Sequence, residues 1–115
     1  MLAACGLGFS YRAGTPVLRD VSIELSLGSF TAILGVNGCG KSTLLSCLMG
    51  LRKPDAGQVL LDGVPMGGVK RRARAQKVAL VAQHSHANRL TVYDSVLVGR
   101  HPLMQGAPTE ADHAV

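Results

Sequence analysis

The amino-acid sequence predicts an α/β fold: an antiparallel β subdomain, then the start of a parallel core sheet with its helices. Three observations carry this. Across residues 21–27 apolar side chains alternate with Ser22, Glu24 and Ser26, the period of a half-buried strand. Residues 30–34 form a short, mostly apolar run of the kind that fills a central strand. That run ends in a glycine-rich loop, after which Leu44, Leu45, Leu48 and Met49 follow a helical pattern.

The remaining elements follow in order. Residues 2–9 read as a strand leading to Tyr11, and Gly14-Thr15-Pro16 signals a turn. Gly28-Ser29 turns the chain, so residues 21–27 and 30–34 are expected to pair antiparallel. The helix after the loop is expected over residues 41–51, stopped by Gly50 and Pro54. Residues 58–61 form a further strand, closed by the tight turn pair Asp62-Gly63. A short basic helix over residues 70–77 feeds a strand at 78–82, then a polar loop at 83–90. Thr91 caps a helix reaching about Gly99, ended by His101-Pro102. Thr109-Glu110-Ala111-Asp112 has the form of another helix start, with acidic residues in the first turn.

At 115 residues and 47% hydrophobic, the chain can bury a modest core. No apolar run approaches the length of a membrane span, and the first residues lack the pattern of a secretory leader. A cytosolic protein is expected. The three cysteines, Cys5, Cys39 and Cys47, show no Cys-x-x-Cys spacing, which fits reduced thiols. The net charge of +5 draws on the cluster Lys70, Arg71, Arg72, Arg74 and Lys77.

The chemistry lies in Gly35-Val36-Asn37-Gly38-Cys39-Gly40-Lys41-Ser42, followed by Thr43, which fits G-x-x-x-x-G-K-[ST] at every fixed position. Shuffling a chain of this composition produces the pattern in under about one per cent of cases, so chance is a poor explanation. Gly38 and Gly40 allow positive φ and let N–H groups curl around an anion. The helix beginning near Lys41 turns its positive end to the same place. Lys41 is expected to reach the β- and γ-phosphates, and the Ser42 hydroxyl to ligate Mg²⁺.

The flanking residues resemble the ATPases of ABC transporters over nearly the whole chain. Val17-Leu18-Arg19-Asp20-Val21-Ser22, then Gly28 and the loop continuing into Thr43-Leu44-Leu45, is similar to that family's opening. Pro54-Asp55-Ala56-Gly57-Gln58-Val59 and Asp62-Gly63 follow in the family's manner. The resemblance implies that ATP is held by Gly35, Asn37, Gly38, Cys39, Gly40, Lys41, Ser42 and Thr43, with Mg²⁺ on Ser42 and Gln83. It also implies an aromatic stacking on adenine at Tyr11, which lies 24 residues before Gly35. Gln83 matches a glutamine that contacts Mg²⁺ or the attacking water and moves with the membrane subunit. The stretch from Gln83 to Pro102 is similar to the branch serving importers of siderophores, haem or cobalamin. The partners implied are a membrane permease subunit and a second ATP-binding subunit, at the cytoplasmic face of the membrane.

The family's Leu-Ser-Gly-Gly-Gln signature, its apolar strand ending in Asp-Glu and its switch histidine do not occur in these residues. Residues 1–115 are therefore expected to be the N-terminal part of one nucleotide-binding domain, an incomplete P-loop NTPase of the ABC type with little turnover alone. Val59-Leu60-Leu61-Asp62 imitates the acidic strand, but Gly63 marks Asp62 as a turn residue. Three other readings have less support in the residues. A GTPase or kinase has no Asn-Lys-x-Asp or Asp-x-x-Gly here. A nucleic-acid-binding module would rest on the basic cluster, which lacks interleaved aromatics and reads as a solvated helix face, so no nucleic acid is expected. A metal site at His84 and His86 lacks helical spacing and nearby cysteines.

Overall fold

The structure is a computed structural model that describes residues 1–81, 91–104 and 106–114. Two compact units divide it, Met1–Val69 and Lys70–Val115.

The first unit is built on a sheet of order β2-β1-β3-β4, formed by β1 (Leu2–Arg12), β2 (Thr15–Leu25), β3 (Ala56–Leu61) and β4 (Val64–Pro65). All three pairings are antiparallel. β1 and β2 form a hairpin running from the Leu2–Leu25 pair to the Arg12–Thr15 pair, closed over Ala13 and Gly14. Pro16 therefore lies inside a strand rather than a turn. β2 tolerates it because it is an edge strand, where a missing N–H costs no ladder bond. The expected turn at Asp62-Gly63 is present, with φ of 51° and 80° at the two residues. The Met1 ammonium meets the Asp62 carboxylate at 2.7 Å, and the Asp62 N–H donates to the Met1 carbonyl at 2.8 Å.

α1 (Lys41–Leu48) packs on this sheet through Thr43, Leu44, Cys47 and Leu48. Together with Leu7, which has 0% exposure, and Leu18 and Val59, they make the core of the unit. α1 ends earlier than residue 51 because the Gly50 and Leu51 N–H groups turn back to the Cys47 and Ser46 carbonyls, each at 2.9 Å. Asp55 ties the far side down: its N–H donates to the Gly8 carbonyl at 2.9 Å, and its carboxylate accepts from the Ser10 N–H at 2.7 Å.

Two expected strands are corrected. Residues 30–34 are irregular and pair with no strand, and Phe30 and Leu34 are 96% and 90% exposed. Residues 78–81 are likewise unpaired. A strand requires a neighbour for its N–H and C=O groups, and a parallel strand also requires cover on both faces. Among the described residues neither run meets one, so the start of a parallel core sheet is not formed by them. Nor does β2 pair with residues 30–34. Its partner is β1, reached through a two-residue turn that costs little closure entropy.

The second unit is helical among its described residues. α2 (Arg71–Lys77) is the expected basic helix, and Arg72 Nε and Gln76 Nε2 both donate to the Pro102 carbonyl, at 3.1 and 2.8 Å. α3 (Val92–Arg100) starts as expected at Thr91, whose hydroxyl oxygen accepts from the Asp94 N–H at 3.1 Å. α4 (Glu110–His113) carries the expected capping box, with the Asp112 carboxylate accepting from the Thr109 N–H at 3.0 Å. The bond from the Thr109 backbone, then the Thr109 hydroxyl and the Arg100 guanidinium, holds the Asp112 carboxyl below its ordinary range. Tyr93 of α3 stacks on the His113 ring of α4, and its hydroxyl bonds to Nδ1. Among the described residues no helix is long and apolar enough to cross a membrane.

Candidate functional site

The loop of residues 35–42 joins the unpaired run 30–34 to α1. Gly38 and Gly40 have φ of 82° and 100°, the left-handed region the sequence calls for. Gly40 also serves as the N-cap of α1, and a Cβ placed there would lie 3.2 Å from the Val17 carbonyl oxygen. Any other residue would meet both backbone strain and a backbone atom that cannot swing away.

Among the described residues no side chain caps α1 at Gly40, and none in its first turn is acidic. A helix start has N–H groups without intrahelical partners and half a positive charge from the aligned peptides. Side-chain caps normally satisfy such groups, so this helix start is suited to an anion instead. Lys41 adds a full charge. Its ammonium lies within the curl of the loop, donating to the carbonyls of Gly35 at 2.6 Å and Val36 at 2.8 Å. Cys39 Sγ is 3.8 Å from the same nitrogen. Asn37 lies in the turn of the loop, and Ser42 is exposed on the first turn of α1.

Thr43 is buried, and its hydroxyl lies 3.0 Å from the Tyr11 hydroxyl. Tyr11 stands near the end of β1 and is 56% exposed, enough to offer ring surface to a ligand. The Phe9 ring meets it edge to face, with centroids 5.0 Å apart. The structure therefore brings Tyr11 together with Thr43, the residue that follows the loop. Gln83 lies outside the described residues, as do His84 and His86. Among the described residues no cluster of His, Cys, Asp or Glu could hold a metal ion.

One neighbour of the site escaped the sequence reading. The Arg52 guanidinium lies over the Tyr11 ring, 4.8 Å from its centroid, and 5.8 Å from that of Phe9. Nothing in the spacing of Arg52 from Tyr11 announces this contact, because it depends on how the chain leaves α1. The thiols differ as well. Cys5 and Cys39 are exposed, whereas burial pushes the Cys47 thiol up, against a smaller opposing pull from the Arg52 charge.

The architecture is that of ABC-type ATPase cassettes. Over 98% of its length the chain superposes on the dimeric ATP-binding cassette MJ0796 in a post-hydrolysis state bound to ADP and Pi, with TM-score 0.84 and 25% identity, covering 52% of that chain. The family model for ABC transporters matches residues 18–114, and the chain belongs to that family. It is 36% identical over 112 residues to an uncharacterised ABC transporter ATP-binding protein of Methanocaldococcus jannaschii, covering 97% of this chain and 44% of that protein. It is 40% identical over 100 residues to the petrobactin import ATP-binding protein YclP of Bacillus subtilis, covering 86% and 40%. The chain thus spans less than half the length of these two relatives.

Proposed function

We propose that residues 35–42 hold the phosphates of MgATP in the nucleotide-binding subunit of an importer. The observation that carries the phosphate reading is the Lys41 ammonium inside a two-glycine curl, at a helix start that no side chain among the described residues caps. In this reading the N–H groups of Gly38 to Ser42 donate to phosphate oxygens. Lys41 turns from the Gly35 and Val36 carbonyls toward the β- and γ-phosphates, and Asn37, Cys39 and Thr43 shape the loop around them. The Ser42 hydroxyl is a hard oxygen ligand suited to Mg²⁺, which when bound neutralises charge between the phosphates. Gln83 is proposed as its second protein contact.

Tyr11 is proposed to stack on adenine. A stacked aromatic is worth about 1–3 kcal/mol per base, which is roughly 5- to 150-fold in affinity. Tyr11→Ala should weaken ATP by that factor and leave inorganic tripolyphosphate unchanged in isothermal titration. A loss shared equally by both ligands would instead mark Tyr11 as a packing residue.

The importer reading is supported by the likeness to the petrobactin import protein YclP, and the resemblance of residues 83–102 to importers of siderophores, haem or cobalamin favours one of those ligands. It brings with it a membrane permease subunit, a second ATP-binding subunit, a place at the cytoplasmic face of the membrane, and hydrolysis coupled to transport. The residues that deprotonate water in such a cycle do not occur among these 115. Uptake of labelled ferric siderophore should fall in cells whose only copy carries Lys41→Ala; undiminished uptake of each of the three ligands contradicts the importer reading.

A further inference from the structure

We infer that Arg52 is a positioning residue for the nucleotide base, acting through the Tyr11 ring. The inference rests on the proposal that Tyr11 is the platform for adenine, and deepens it.

Tyr11 is held on three sides. Phe9 meets the ring at an interplanar angle of 89°, Thr43 bonds its hydroxyl, and the Arg52 guanidinium covers one face. With Arg52 on one face, a base stacking face to face has the opposite one, and the layers run adenine, Tyr11, Arg52. The arrangement does two things. It fixes an exposed side chain before the ligand arrives, so less freedom is lost on binding. It also sets a cation against the ring, where the guanidinium plane suits stacking better than an ammonium would.

Arg52 is itself anchored to α1. Its N–H donates to the Ser46 carbonyl at 3.1 Å, and the Ser46 hydroxyl donates to the Ser42 carbonyl at 2.8 Å. The helix that starts at the phosphate loop therefore carries a hold on Tyr11 at each end, Thr43 in its first turn and Arg52 just beyond its last. Base platform and phosphate loop are set by one element.

The test is a double-mutant cycle on the protein as purified from its host, measuring ATP and inorganic tripolyphosphate for wild type, Arg52→Ala, Tyr11→Ala and the double variant. Arg52 is exposed, so its truncation leaves the core intact. Arg52→Ala should weaken ATP about twofold to fivefold, the range of an exposed cation–π contact, and leave tripolyphosphate unchanged. In the Tyr11→Ala background the same substitution should add no further loss. Unchanged ATP affinity in Arg52→Ala, equal loss for both ligands, or a full loss persisting without Tyr11 overturns the positioning role. ATP affinity unaffected by Tyr11→Ala overturns the platform itself, and the inference with it.

Discussion

Replacing Lys41 with alanine is expected to weaken ATP binding about 10- to 150-fold. A hydrogen bond to a charged group is worth about 1.5–3 kcal/mol, and each 1.4 kcal/mol is a factor of ten. The Lys41 ammonium donates to the Gly35 and Val36 carbonyls and meets Cys39 Sγ, all within its own loop, so the sheet and core do not depend on it. Far-UV circular dichroism of Lys41→Ala should match wild type while titration calorimetry records the loss. The loop also relies on Lys41 for its curl, so part of the loss is expected for any phosphate, including tripolyphosphate. ATP affinity within twofold of wild type would mean that the anion site is elsewhere.

The second large effect is on stability. Leu7 is fully buried in β1, in a core shared with Leu18, Val59, Leu44 and Leu48. Truncating a buried leucine removes its transfer free energy and leaves a cavity, together about 2–5 kcal/mol. Domains of this size have only about 5–15 kcal/mol in total. Leu7→Ala should therefore lower the midpoint of urea unfolding sharply without changing the slope. A shift worth less than about 1 kcal/mol would mean that β1 does not carry the core.

The local features of this chain were legible in its sequence because their causes are local. Asp62-Gly63, Thr91 with Asp94, and Thr109 with Asp112 each act within a few residues, and each forms as its residue types predict. The backbone of residues 35–42 was legible for the same reason: Gly38 and Gly40 permit the positive φ that both adopt. What failed depends on distant partners. Residues 30–34 have the composition of a central strand, yet composition cannot supply the neighbour that makes a strand. Pro16 suggested a turn, and only the placement of β2 at the sheet edge explains its position inside a strand. Arg52 shows the same limit within the site. Its contact with Tyr11 joins residues on opposite sides of α1, and no periodicity reports it.

The central claim, that residues 35–42 hold the phosphates of ATP, is tested most directly by thiol footprinting with and without MgATP. Cys39 lies within the loop beside the Lys41 ammonium, Cys5 is an exposed control in β1, and Cys47 is buried with its thiol held protonated. Alkylation read by peptide mass spectrometry should be slowed at Cys39 about tenfold at ten times the dissociation constant, with Cys5 unchanged and Cys47 slow throughout. Equal rates at Cys39 with and without saturating MgATP would contradict the account.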